Sequence, residues 1–161
     1  MTAKRVKFET THGDIVIELY EDMPITAGNF EKLVREGFYD GITFHRIIRN
    51  FMVQAGCPKG TGTGGPGYTI EDEFVKGHSN LRGTLSMANT GQPNSGGSQF
   101  FLNLVDNVFL DFDNKQTPSK HPVFGEVVEG MEVVDSMAMQ RMDSQDRPLK
   151  ETKIIRATVL E

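Results

Sequence analysis

The sequence predicts a mainly β fold: about eight short antiparallel strands forming a sandwich or a closed barrel, with two helices capping the open ends. Three observations predict it. Apolar residues recur with period two over much of the chain, the mark of strands with one buried face. Only two segments switch to the helical period. The 17 glycines gather between these segments, where turns and loops belong. Neither an internal repeat nor a linker stands out, so one domain over residues 1–161 is expected.

In chain order, "RVKFETTHGDIVIELY" reads as two strands. Val6 and Phe8 alternate with Lys7 and Glu9, and Ile15 and Ile17 with Val16 and Glu18, around a break at His12-Gly13-Asp14. "DMPITAGNFEKLVREG" is the first helix. Pro24 suits its first turn and Gly37 the position just past its end. Ala27, Phe30, Leu33 and Val34 make a stripe to be buried, and Gly28 weakens the helix slightly. "GITFHRIIRNFMVQAG" is a second hairpin. "CPKGTGTGGPG" is too rich in glycine for regular structure. "RGTLSMAN" and "SQFFLNLV" are strands on either side of the loop "TGQPNSGG". "FLDFDNKQTPSKHP" is a polar loop and "VFGEVV" a strand. "GMEVVDSMAMQR" is the second helix, with Met131, Val134 and Ala138 near helical spacing. "TKIIRATVLE" closes the chain as a strand.

Composition narrows the function. Hydrophobic residues make up 37% and charged residues 24%, well clear of disorder. The net charge is −5 and no run of Lys and Arg stands out, so neither nucleic acid nor an anionic membrane is an expected partner. The N-terminal stretch lacks the apolar centre of a secretory signal, and no segment is long enough to span a bilayer. Cys57 is the single cysteine; no intramolecular disulfide can form, which suits a reducing compartment. A cytoplasmic monomer is the expectation.

The run "FHRIIRNFMVQAG" places a permanent charge, Arg46, inside an apolar strand. If residues 44–48 and 52–56 pair through the loop Arg49-Asn50-Phe51, then 46 opposes 54 and 48 opposes 52. Arg46 and Gln54 become cross-strand neighbours, with Ile48 and Met52 on the same face and His45, Ile47 and Val53 on the other. An isolated arginine in a strand is ordinarily a surface residue. Apolar neighbours around an oriented cation point instead to a groove for something part apolar and part polar.

These residues resemble the signature of the cyclophilins, the peptidyl-prolyl cis–trans isomerases. "LSMAN", "GSQFFLNL", "FLD" and "HPVFGEVVEGMEVVD" match further family motifs in family order, as do the opening hairpin and "ITAGNFEKLV". The resemblance implies a closed eight-stranded antiparallel β-barrel capped by two α-helices. It places the catalytic arginine on Arg46 and a glutamine beside it on Gln54. The proline pocket falls on Phe51, Met52, Phe101, Leu110 and His121. Asn89 matches the residue whose backbone holds the substrate carbonyl, with Ala88 and Gln99 along the neighbouring subsite. Phe109 stands where many eukaryotic members have tryptophan, which resembles bacterial-type members and implies weak cyclosporin binding. The loop between Leu110 and His121 is longer than the common eukaryotic form, "TGQPNSGG" is longer than its usual equivalent, and Arg49-Asn50 replaces a common Pro-Gly.

The implied reaction fits these residue types. An X–Pro bond resists rotation by about 18–20 kcal/mol because nitrogen resonance stiffens it. In the twisted transition state the nitrogen regains a lone pair that the planar bond lacks. A donor aimed at that nitrogen therefore favours the transition state selectively. Arginine is always charged, forked and donor-only. Arg46 is assigned as that donor, and Gln54 orients Arg46 or a nearby water. Phe51, Met52, Phe101 and Leu110 would grip the ring, Asn89 would anchor the peptide, and His121 would border the pocket without moving a proton. No bond breaks, so no cofactor or metal is expected. The expected partners are proline-containing peptides and unfolded or flexible client proteins, and the expected role is assistance to folding.

Competing signals are weaker. "GTGTGG" satisfies a dinucleotide pattern, but Pro66-Gly67 forbids the helix such a site needs. Cys57 lacks the signature of a thiol enzyme and reads as inert. His12, His45, His78 and His121 show no metal-ligand spacing. Asp111 and Asp113 begin like a calcium loop that Lys115 interrupts. "EDEF" reads as a solvated loop. The rival classes are a proline-peptide binding module without turnover and a purely structural partner protein; acceleration of a short X–Pro peptide separates them.

Overall fold

The computed structural model describes residues 4–115 and 120–161. Eight strands and two α-helices follow one another as β1 (Arg5–Thr10), β2 (Gly13–Leu19), α1 (Pro24–Arg35), β3 (Arg46–Ile48), β4 (Met52–Ala55), β5 (Thr84–Met87), β6 (Phe100–Asn103), β7 (Val123–Glu129), α2 (Met131–Ala138) and β8 (Ile154–Leu160). A 3-10 turn, Val108–Leu110, lies between β6 and β7. Residues 116–119 of the expected polar loop lie outside the described residues.

All eight strands join one antiparallel sheet in the order β3-β4-β6-β5-β7-β2-β1-β8. The expected closed barrel is not formed; the sheet is a curled half-barrel whose ends are β3 and β8. The reason lies at the seam. Residues just before β3 do reach β8: Gly41 N donates to Ile154 O at 2.7 Å, Ile154 N to Ile42 O at 2.8 Å and Phe44 N to Thr152 O at 2.8 Å. The pairing stops at a single bridge, Thr43 with Lys153. Beyond it Ile47 N turns to Asp146 O at 2.8 Å, so the segment before β8 covers the β3 edge. A covered edge offers no template for a stray strand.

The first hairpin pairs Val6 with Ile17 and Phe8 with Ile15, sending all four side chains into the core. Helix α1 buries Ala27, Phe30, Leu33 and Val34 as its spacing requires. Gly37, at φ +76°, closes it: Gly37 N donates to Val34 O at 3.1 Å and Phe38 N to Leu33 O at 3.0 Å. At the other end Ile25 N and Thr26 N donate to the Glu73 carboxylate at 3.0 and 2.8 Å. The acidic "EDEF" run is therefore not merely solvated; Glu73 caps a helix from 47 residues away.

Phe30 is the hub of the interior. Its ring meets Phe8 at 6.0 Å, Phe100 at 5.4 Å, Phe124 at 5.3 Å and Tyr39 at 5.1 Å. Helix α2 is shorter than its sequence pattern. Gly130 (φ +90°) starts it so close to β2 that a Cβ there would collide with Asp14 O. Its last carbonyls are taken by Arg49, whose Nε reaches Ala138 O at 2.6 Å and whose Nη2 reaches Met139 O at 2.8 Å. Arg49 thus ties the β3–β4 turn to α2, and Asn50 supplies the left-handed residue of that turn at φ +61°.

Candidate active site

The β3–β4 hairpin has the register expected of it: Arg46 opposes Gln54, Ile47 opposes Val53 and Ile48 opposes Met52. Alternation then divides the residues. Ile47 and Val53 enter the main core, while Arg46, Ile48, Met52 and Gln54 face the other way. Strand β6 continues that outer face, placing Phe101 beside Gln54 and Asn103 beside Met52.

There Met52, Phe101 and Leu110 form a small apolar cluster, each no more than 5% exposed, with Ile48, Phe51 and Ala88 packed against it. Phe109 stacks on Phe51 at 5.9 Å and stays 43% exposed at the rim. His121 meets Phe101 edge-on at 5.3 Å. Burial lowers the pKa of His121 below the usual histidine value, although its Nδ1 lies 3.1 Å from Met87 O, an acceptor that favours the protonated form. A neutral ring whose Nδ1–H is held by a carbonyl is a wall, not a proton carrier.

Arg46 stands exposed at the edge of this floor. Its Nη1 donates to Gln54 Oε1 at 3.4 Å, a loose bond. Gln54 Nε2 donates to Gln99 Oε1 at 3.0 Å, and Gln99 Nε2 to the carbonyls of Gly62 and Gly64 at 2.9 and 3.0 Å. The glycine-rich loop thereby orients Gln99, then Gln54, then the guanidinium. Asn89 and Ala88 border an adjoining cleft of about 550 Å³ with Gln54 and Gln99. The Asn89 side chain is occupied: Nδ2 donates to Lys120 O at 2.8 Å and Oδ1 accepts from Gly91 N at 3.0 Å. The eleven expected site residues thus form two adjoining patches, with Asn89 at the margin.

Sequence reasoning missed what supports the floor. Asn80, Asn103 and Asn107 are buried and bonded to one another. Asn107 Nδ2 donates to Asn103 Oδ1 at 2.8 Å and to Phe51 O at 3.0 Å. Asn103 Nδ2 donates to Asn80 Oδ1 at 3.1 Å and to Thr84 Oγ1 at 2.9 Å. Asn80 Oδ1 also accepts from Ser86, which pairs with Phe101 across β5 and β6. Asn80 Nδ2 reaches Asp111 Oδ1 at 2.8 Å, and Leu110 N donates to Asn107 O at 3.0 Å. The network touches the backbone or strand partner of Phe51, Phe101 and Leu110. Asp111, the first residue of the supposed calcium loop, is spent inside it.

Cys57 is buried under the loop. Burial raises its pKa, but amide donors from Gly64, Thr61, Gly62 and Lys59 outweigh that and bring it down to about 7. Gly62 N and Gly64 N lie 3.3 and 3.2 Å from Sγ. Among the described residues no group of three His, Cys, Asp or Glu side chains gathers to hold a metal.

A half-barrel with two helices and an apolar groove edged by an oriented guanidinium defines a peptide-binding β protein. Residues 5–159 match the family model described as "Cyclophilin type peptidyl-prolyl cis-trans isomerase/CLD", and the chain belongs to that family and is a peptidyl-prolyl cis–trans isomerase. It is 46% identical over 164 residues to peptidyl-prolyl cis-trans isomerase-like 1 of Aspergillus fumigatus, covering 99% of this chain and 97% of the relative. A Schizosaccharomyces pombe peptidyl-prolyl cis-trans isomerase is 45% identical over 163 residues, covering 96% and 98% of the two chains. A solved Cryptosporidium parvum cyclophilin-type isomerase superposes with a TM-score of 0.90 at 30% identity, over 99% of this chain and 98% of that one. The same protein has been solved in the presence of the dipeptide Ala-Pro.

Proposed function

We propose that the groove binds an X–Pro segment of a flexible client and that Arg46 donates to the proline nitrogen as the bond rotates. The observation that carries this reading is the placement of Arg46. Its strand fixes it at the lip of the Met52–Phe101–Leu110 floor, and the Gln54–Gln99 chain orients it. The apolar floor, with Phe51, suits the proline ring; Ala88, Gln99 and the backbone at Asn89 flank the preceding residues. The loose 3.4 Å bond to Gln54 leaves a guanidinium N–H able to turn to substrate.

The magnitudes suffice. Raising a rate near 0.01 per second to roughly 10–1000 per second requires about 4–7 kcal/mol. One well-placed donor in a dry site supplies about 2.7–4 kcal/mol. Apolar grip on the ring, while the preceding carbonyl swings, accounts for the remainder. Arg46→Ala is expected to lower kcat/KM for a short X–Pro peptide about 100- to 1000-fold. Activity within about twofold of the parent would remove Arg46 from the mechanism.

The cellular reading is assistance to folding of proline-containing clients by a cytoplasmic, single-domain monomer. With Phe109 at the rim in place of tryptophan, cyclosporin is expected to bind weakly.

A further inference from the structure

Arg46 has a companion. Arg147 also acts on His45, which directly precedes β3 and is only 6% exposed. Burial first, then Arg147 and Arg46, hold the pKa of that ring at about 4, so both guanidinium groups lie within electrostatic reach of one neutral imidazole. Its Nδ1 finds no hydrogen-bond partner among the described residues. Between the two arginines lies a cleft of about 300 Å³, also lined by Gln54, Gln99, Gln145 and Thr61. His45 and Arg147 line a second cleft as well, of about 380 Å³, to which Lys59 and Lys150 add their charges.

This trough is basic on a chain whose net charge is −5. Among the described residues, none of Arg46, Lys59, Arg147 and Lys150 has a carboxylate within ion-pair distance. The one acid lining the second cleft, Glu151, is paired with Lys153 at 2.8 Å. Arg147 is also held in place. Asp143 Oδ1 accepts from Gln145 N at 2.8 Å and Arg147 N at 3.0 Å, and Asp143 N donates to Arg147 O at 2.8 Å. The same turn is pinned to β3 next to Arg46 through Ile47 N and Asp146 O. Arg46 bonds to the neutral Gln54 amide, and Arg147 lies within electrostatic reach of Asp143, whose carboxylate is held below its usual pKa by the Arg147 and Gln145 backbone amides and by that charge. Among the described residues these four cations form no ion pair, which leaves a positive surface complementary to an anion.

We propose that this trough is an anionic subsite, which takes a carboxylate or phosphate carried by a client residue close to the proline. The enzyme would then favour X–Pro bonds in acidic surroundings. The inference rests on the reading that the Arg46 groove binds an X–Pro peptide. The uncharged Asn89 cleft and the trough adjoin through Gln54, Gly62 and Gln99, so a chain lying across Arg46 borders both. An extended peptide advances about 3.3 Å per residue, so a side chain two or three residues from the proline reaches Arg147 or the lysines beyond. Exposed ion pairs are individually weak; two or three together give a preference of about three- to tenfold, sensitive to salt.

The test compares X–Pro peptides that differ only in Glu, phosphoserine or Gln, placed within three residues of the proline on either side. kcat and KM are measured for the parent and for the triple variant Lys59→Gln/Arg147→Gln/Lys150→Gln, at low and high salt. The parent should prefer Glu over Gln about three- to tenfold in kcat/KM at low salt, mainly through KM, with phosphoserine at least equal to Glu. The ratio should approach one in the triple variant and at high salt. Because it is taken within each protein, partial misfolding cancels. A parent ratio near one, or a ratio that survives the triple substitution, overturns the subsite. The Gln peptide tests the parent reading separately: if it is bound but not accelerated, Arg46 catalysis fails, and the Glu-to-Gln ratio of binding constants still decides the trough.

Discussion

The two faces of β4 and β6 are built on different physics. Inward, Val53, Ala55, Phe100 and Leu102 are fully buried among interlocking rings and branched side chains. Outward, Met52 and Phe101 share a thin apolar floor with Leu110, edged by Gln54 and Arg46 and supported by three buried asparagines. The inner face is held by volume and the outer face by hydrogen bonds. A packed interior resists change of any kind. A groove instead must keep an empty place for its ligand, so directional bonds have to fix its walls. On this view stability resides mainly on one face of the sheet and function on the other.

Damage to the inner face should therefore cost stability while the folded fraction keeps its activity. Phe30→Ala, at the centre of the ring cluster, is expected to lose about 3–5 kcal/mol in denaturant unfolding. Its kcat/KM, corrected for folded protein, should be unchanged; a large loss there would break the comparison.

Acid should reveal His45. Its folded pKa, about 4, lies below the usual value of about 6.5. The unfolded chain therefore binds the extra proton first, and stability present above pH 6.5 is lost as pH falls towards 4, by up to roughly 3 kcal/mol. Unfolding at pH 7 and pH 4.5, with and without His45→Gln, measures this. Since the proposed chemistry moves no proton, kcat/KM should not follow that titration in protein that remains folded.

Asn107→Ala probes the outer face. It deprives Phe51 O and Asn103 Oδ1 of a donor and should cost about 1–3 kcal/mol in stability. Unlike Phe30→Ala, it should also raise KM for an X–Pro peptide severalfold, because Phe51 O keeps its bond from Leu104 N but loses the one from Asn107. A pure stability loss would make the asparagines part of the core by another route.

Gly28→Ala is the smallest effect and the opposite sign. A Cβ there meets nothing within 4 Å, so α1 should gain about 0.5–1 kcal/mol in unfolding with activity unaltered.

The sequence revealed the floor of the site better than its supports. Arg46, Ile48, Met52 and Gln54 were legible because period two and a three-residue loop dictate a register, and that register is observed. Phe101 came from the family resemblance, and its β6 register places it beside Gln54. Asn80, Asn103 and Asn107 were not legible: a polar residue in a loop or at a strand end signals solvent, and only tertiary contact shows that each has partners enough to be buried. An acidic run in a loop likewise signals solvent, so the cap that Glu73 places on α1 was not legible either. The seam between β3 and β8 depends on where Ile47 N finds its acceptor, which no local pattern encodes. The basic trough was invisible as well, since Arg46, Lys59, Arg147 and Lys150 are scattered along the chain and meet only through the fold.

The central claim is that one oriented guanidinium favours the twisted imide, apart from any help it gives to binding. Exchange NMR of an X–Pro peptide on the Arg46→Ala protein tests it most directly, because occupancy of the groove and interconversion of the bound isomers are read in one sample. The account predicts that groove signals still shift on peptide addition while cis–trans exchange falls at least about 100-fold. Exchange at the parent rate on a normally occupied groove would contradict it.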